Sequence, residues 1–156
     1  MKRLVLIIII ALVSCLSWAA PGKAIGFELG VNLGEPSGLS AKMWLDGTSA
    51  LEGIAAWAFT QGAFEFSVDY LYSFPTLVKV QTAGFPVFVG IGGLARVSAA
   101  GGTPSPVTIG LRVPLGILYQ FAKVPIEISL DVVPGLSLFP DTSFIAMGGL
   151  AVRFRF

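Results

Sequence analysis

The 156-residue chain has no histidine, a single cysteine and only 12% charged residues. Each shortage excludes something. Without histidine there is no imidazole base, no histidine metal ligand and no ordinary Ser-His-Asp triad. A lone Cys15 cannot form an internal disulfide. An average soluble domain carries roughly 25% charged residues. At half that share, with 54% hydrophobic residues and a mean hydropathy of +0.83, this chain lacks the surface of a water-soluble globule. Its net charge is only +1 and it has no lysine or arginine cluster, so it carries no footprint for nucleic acid.

Long hydrophobic runs are scarce too. The one candidate is the N-terminal "MKRLVLIIIIALVSCLSWAA", with basic Lys2 and Arg3, an apolar stretch from Leu4 and small residues at its end. It reads as a secretory signal peptide, residues 1–19, cleaved after Ala19, with Ser17 and Ala19 as the small residues a peptidase requires. A competing reading takes Leu12-Val13-Ser14-Cys15 as a lipoprotein box with a lipidated Cys15, which leaves a short signal. The preferred reading of Cys15 is a small apolar residue of the signal. Without Lys2 and Arg3, eight basic residues stand against nine acidic ones.

What the chain has in quantity is glycine (19) and proline (10), and between them alternation. No later segment shows a 3.6-residue period, and eight runs alternate with period two. They are Ala24 to Gly34; "LSAKMWL"; "ALEGIAAWAF"; "AFEFSVDYLYSF", extending toward "LVKV"; "PVFVGIGGLARVS"; "VTIGLRVPLGILYQF"; "IEISLDVVPGLSLF"; and "FIAMGGLAVRFRF". The connections are short, except for the loop-like "AAGGTPSP". Short connections force antiparallel hairpins. Closing eight such strands into a barrel removes both sheet edges. The expected fold is therefore all-β, an eight-stranded antiparallel up-and-down barrel over residues 24–156, after the signal peptide.

Alternation defines two faces. In the fourth run Phe64, Phe66, Val68, Tyr70 and Tyr72 oppose Glu65, Ser67, Asp69 and Leu71. The second face is mostly small residues with a few charges, too weakly polar for a whole water-facing surface. It suits the narrow interior of an eight-stranded barrel, which puts the apolar face toward lipid. On the inner face, Glu65, Asp69, Glu127 and Asp131 match Arg96, Arg112, Arg153 and Arg155. Buried charges need partners, so a lumenal ion-pair network is expected, holding the barrel together without chemistry. Trp44, Trp57, Tyr70, Tyr72 and Tyr119 are aromatics of the kind that form interfacial girdles.

Signal, alternating strands and a final aromatic strand together resemble the small bacterial outer-membrane β-barrels, the OmpA- and OmpX-like eight-stranded proteins. In that superfamily the last strand commonly ends in Phe with apolar residues at alternate positions. The barrel assembly machinery reads that strand. Leu150, Val152, Phe154 and Phe156 match this pattern. Leu33 to Gly53, "LGEPSGLSAKMWLDGTSALEG", resembles the first hairpins of a family of small uncharacterised barrels with a Gly-Glu-Pro-x-Gly-Leu-Ser stretch. The resemblance implies outer-membrane lipid and the assembly machinery as partners, a monomer, and no activity or cofactor.

Other motifs read as structure. Glu35, Pro36 and Gly38 describe a tight first-hairpin turn. Gly90 to Gly93, "GIGG", lacks the strand-then-helix setting of a nucleotide loop, and its glycines relieve crowding within a strand. Pro114 and Pro134 each mark a bulge or a rim. The leading functional expectation is a non-enzymatic outer-membrane barrel, structural or binding, with its lumen plugged by side chains. The alternative is a lipocalin-like periplasmic carrier of a small apolar ligand, lipid-anchored at Cys15. An enzyme built on the acid and arginine set ranks last.

Overall fold

The alternation becomes strands. A computed structural model describes residues 26–59, 62–80, 83–98 and 107–156. The expected signal peptide, Cys15, the start of the first run and the "AAGGTPSP" loop lie outside the described residues. In chain order the strands are β1 (Gly26–Glu35), β2 (Ser37–Trp44), β3 (Ser49–Ala58), β4 (Ala63–Val80), β5 (Ala83–Ser98), β6 (Thr108–Arg112), β7 (Leu115–Gln120), β8 (Ile126–Phe139) and β9 (Ser143–Arg155). Every pairing is antiparallel, β4 joins β5, and β1 joins β9, so the sheet closes on itself.

The described segments number nine where the sequence predicts eight runs, and the difference lies at Pro114. β6 and β7 both pair with β5 and with β8. They are two halves of the sixth run. Proline has no N–H to give the ladder, so the strand is interrupted there. The alignment nevertheless runs on: Gly90 N donates to Pro114 O at 2.8 Å and Val113 N to Pro134 O at 2.9 Å. Pro114 thus marks neither a bulge nor a rim. Pro134 stays inside β8, aligned with Ala146. The irregularity on β8 falls instead where Ile109 and Gly110 of β6 meet Phe139 and Ser137.

The first turn is centred on Pro36. β1 runs through Glu35, which aligns with Gly148 of β9, and β2 begins at Ser37, leaving Pro36 alone between them. The Ser37 hydroxyl donates to Gly34 O at 2.6 Å, and Asn32 Nδ2 donates to Pro36 O at 3.0 Å. Gly38 is aligned with Asn32, the last β1–β2 pair before the turn, and on its other side with Ala56 of β3. A Cβ there would run into the Ala55 carbonyl.

The two faces separate by chemistry. Outward positions are apolar and exposed: Leu29 and Val31 on β1, Ile91 on β5, Leu111 on β6, Leu130 and Val132 on β8. Inward positions hold the buried polar residues, among them Glu28, Lys42, Glu52, Glu65, Asp69, Arg112, Glu127 and Arg153. A small apolar cluster of Trp44, Ala50, Leu71, Phe88 and Leu118 also packs inside. A lipocalin-like carrier needs the opposite arrangement, with an apolar cavity inside and a polar wall outside.

Candidate functional site

The candidate site is the lumen with its two mouths. In a strand, residues two apart share a face. The outward Phe27, Leu29 and Val31 therefore turn Glu28 inward, and the outward Met43 turns Lys42 and Trp44 inward. Two groups of charges result.

The first centres on Arg153 of β9. Its Nη1 lies 3.0 Å from Glu127 Oε1 and donates to Ser129 Oγ at 2.9 Å. Its Nη2 pairs with Glu52, and its Nε donates to Ser40 Oγ at 2.8 Å. Glu127 also receives Lys42 Nζ at 2.8 Å and Gln120 Nε2 at 2.9 Å. The second group lies on β4 to β6. Arg96 contacts Glu65 at 2.5 Å, and Arg112 reaches Asp69 at 3.1 Å, Glu65 at 3.5 Å and Ser67 Oγ at 2.9 Å. The Arg112–Asp69 contact is an ion contact rather than an aligned hydrogen bond.

Glycines make these contacts geometrically possible. Asp69 and Arg112 sit on strands that are not neighbours, with Gly92 of β5 aligned to both. A Cβ on Gly92 would collide with the Asp69 carboxylate. Gly30 of β1 is likewise aligned to both Ser40 and Arg153. Each glycine clears a slot through which a side chain bonds across the strand between.

Of the eight charges expected in the lumen, Glu65, Asp69, Arg96, Arg112, Glu127 and Arg153 are buried and in contact as described. Two stand apart. Asp131 is half-buried and accepts the Gly149 N–H at 2.9 Å instead of an arginine. Arg155 is half-exposed at the barrel end, 3.5 Å from Glu28. The expected set also omits Glu28, Lys42 and Glu52. Their parity was available: Glu28 alternates with Phe27, Leu29, Val31 and Leu33 as clearly as Glu65 does with its neighbours, while Lys42 and Glu52 lie among Ala, Ser and Gly, where two faces stand out less. Trp44 is a related correction. It is not a girdle residue: it lies inside, its Nε1 donating to Glu28 Oε1 at 2.8 Å and Lys42 Nζ 4.4 Å from its ring.

The mouths differ. At one end lie Gly26, Phe156 and the turns after β2 and β7, around a cavity of about 460 Å³. There Asp46 Oδ1 accepts the N–H groups of Thr48 and Ser49, which hold its carboxyl below the usual carboxylate range. The opposite end has a cavity of about 210 Å³ beside Glu35, Pro36 and Arg96. The expected assembly residues lie on the outer side of β9: Leu150, Phe154 and Phe156 are exposed and Val152 is half-buried. Phe156 N donates to Phe27 O at 2.8 Å, and its ring contacts those of Phe27 and Phe154. Among the described residues no cluster of acids could hold a metal ion.

No curated protein matches the chain. Its fold is similar to the N-terminal β-barrel domain of Pseudomonas aeruginosa OprF, with a TM-score of 0.50 and 13% identity, over 84% of this chain and 96% of that one. A family model matches residues 24–155, nearly the whole described barrel, and the chain therefore belongs to the family described as protein of unknown function DUF3996.

Proposed function

We propose that this chain is a small outer-membrane β-barrel protein with a structural or binding role, non-enzymatic, its lumen closed by its own side chains. The observation that carries this reading is the placement of charge. The outer wall between the two ends of the ring is apolar, while Glu, Asp, Lys and Arg side chains pair inside it. Only a barrel standing in lipid gains from that inversion. The dimensions agree. Outward Phe144 and Phe154 of β9 stand ten residues apart. At about 3.3 Å per residue and a tilt of about 40°, they bracket a band of about 25 Å, the height of a lipid-facing belt.

In this reading residues 1–19 are a signal peptide removed after Ala19. The mouth holding Gly26 and Phe156 faces the periplasm. β9, through Leu150, Val152, Phe154 and Phe156, is the strand the barrel assembly machinery engages, and the protein is a monomer in outer-membrane lipid. The test is fractionation of a Gram-negative host expressing the full chain. The protein is expected in the outer membrane, migrating differently on gels with and without boiling. Recovery from the soluble periplasmic fraction without detergent would overturn the reading. Deleting Phe156 is expected to lower the yield of heat-modifiable barrel.

A further inference from the structure

At the end away from Gly26 and Phe156, the wall has a gap. β1 and β9 keep one register from Glu28 and Arg155 up to Glu35 and Gly148, where β1 ends. β9 extends past that point to Ser143, and β2 starts only at Ser37, aligned with Trp57 of β3. Above the β1–β2 turn, β9 therefore has an open edge. At about 3.3 Å per residue and a tilt of about 40°, the stretch from Gly148 to Phe144 makes the gap about 10 Å deep. Phe144 marks the upper limit of the apolar belt, so the gap lies within it. The open edge is polar. Phe156 N donates to Phe27 O, and in an antiparallel ladder such bonded pairs recur at every second residue. Phe144 and Ala146 thus turn their N–H and C=O groups toward the gap, where no strand among the described residues receives them. An open sheet edge is not tolerated against lipid tails. Glu35 points the same way. It follows Val31 and Leu33 in the outward alternation, where a charge is expensive, and it is half-buried. Behind the edge lies the cavity of about 210 Å³, lined by Glu35, Pro36, Phe144, Ala146, Met147 and an Arg96 that Glu65 already holds. It is smaller than the usual drug-sized site and suits a single sugar ring.

We propose that this gap seats the polyhydroxyl head of an outer-leaflet amphiphile of the glycolipid class, its chains lying along the outward Leu33, Leu39 and Leu150. The proposal rests on the outer-membrane reading above. The head has to donate and to accept. The edge N–H groups need acceptors, while the edge C=O groups and the Glu35 carboxylate need donors. A quaternary ammonium head offers neither. A phosphate only accepts, and it would meet Glu35. Sugar hydroxyls do both, and the attached chains replace the missing stretch of apolar wall.

The Phe144 and Ala146 amides are the reporters. The full chain is folded in dodecylphosphocholine micelles, whose heads cannot donate a hydrogen bond, and titrated with dodecyl maltoside while these amides are followed by NMR. Dodecyltrimethylammonium carries the chain without hydroxyls, and free maltose the hydroxyls without the chain. Dodecyl maltoside is expected to give a saturable shift, and each comparison probe to bind at least about tenfold more weakly. Ala146→Pro removes one edge N–H. It spares the β8 ladder, which uses the odd-numbered residues of β9, as Arg155 N on Pro125 O shows. It is expected to weaken binding by about threefold to tenfold. Glu35→Gln is expected to weaken it by about threefold, and it decides the matter should Ala146→Pro not fold. Heat-modifiable migration checks each fold. A heat-modifiable barrel that ignores the glycoside refutes the gap site and leaves the outer-membrane reading standing. Absence of a saturable shift, either comparison probe binding as tightly as dodecyl maltoside, or undiminished binding by a folded variant would overturn the proposal. Slow hydrogen exchange at both amides without glycoside would mean that another strand fills the edge, and would overturn it too.

Discussion

At the residue scale the buried charges set the behaviour of the barrel. Arg153 touches Glu52, Glu127, Ser40 and Ser129, all on other strands. Replacing it with methionine strips Glu52 and Glu127 of a shared cation inside the ring. Breaking a buried pair from one side typically costs about 3–5 kcal/mol. Arg153→Met is expected to lower stability by about that much in a urea titration of the lipid- or detergent-embedded barrel, and adding Glu52→Gln, which neutralises the acid left without a cation while Glu127 keeps Lys42, is expected to restore part of it. Gly92→Ala offers a steric counterpart. Its Cβ would strike the Asp69 carboxylate, whereas one on Gly26 meets nothing within 4 Å. The first substitution is expected to cost about 1–3 kcal/mol and Gly26→Ala less than about 0.5 kcal/mol in the same assay. Asp46 answers to pH. Its carboxyl is held below the ordinary 3.8 chiefly by the N–H groups of Thr48 and Ser49. The turn's support from this charge is therefore complete above that ordinary value and is lost as pH falls through the lower folded one. An NMR titration of the Asp46 carboxyl carbon is expected to show a midpoint below that of an exposed aspartate, and Asp46→Asn should remove the associated shift of the Thr48 and Ser49 amides.

At the element scale the sixth run is the place where the chain breaks its own pattern. Pro114 splits it into β6 and β7, yet across the break one alignment continues against β5 and, from Gly110 onward, against β8. Gly90 already donates to the Pro114 carbonyl, and in an antiparallel pair of that kind the reciprocal N–H would come from residue 114. Pro114→Ala is expected to supply it, giving an amide at 114 that exchanges slowly by hydrogen–deuterium NMR and joins Thr108 to Gln120 in one strand. The proline ring is fully buried, so its loss is also expected to offset the new bond by about 1 kcal/mol. A rapidly exchanging amide at 114 would contradict this account. The element map was largely legible beforehand because alternation and turn residues act locally. Run starts at Ala63 and Ile126 follow from Gly62 and Pro125 beside them, and the last strand starts at Ser143, one residue before the run read from Phe144. Illegible were features decided by neighbours distant in the chain. Gly38 looks like a turn glycine alone until β3, whose Ala55 carbonyl a Cβ would strike, is placed against it. Trp44 looks like an interfacial aromatic until the parity it shares with Lys42 is weighed against the closed ring.

On the scale of the whole molecule, closure converts a list of alternating runs into an inside and an outside. Which charges pair was only partly readable. Glu65 and Arg96 are direct cross-strand partners, while Arg153 reaches Ser40 and Glu52 by crossing strands, a consequence of ring curvature and of Gly30. The direction of the apolar face was legible because twelve per cent charge cannot cover a water-facing wall, and that same argument yields the sharpest global prediction. Leu130 lies on the outer wall of β8, 54% exposed, aligned with Leu150 on one side and Ile117 on the other. On a water-facing surface an exposed Leu→Arg change ordinarily moves stability by less than about 0.5 kcal/mol. At the middle of a lipid-facing wall it costs about 2–4 kcal/mol and falls toward zero near the interfaces. A series placing arginine at Leu130, Val132 and Phe154 in turn, measured by reversible unfolding in bilayers, is therefore expected to show a depth profile, with similarly large losses at Leu130 and Val132, level with Leu150 and Gly148 near the middle of β9, and the smallest at Phe154. A flat profile near zero would mean that water, not lipid, bathes the wall.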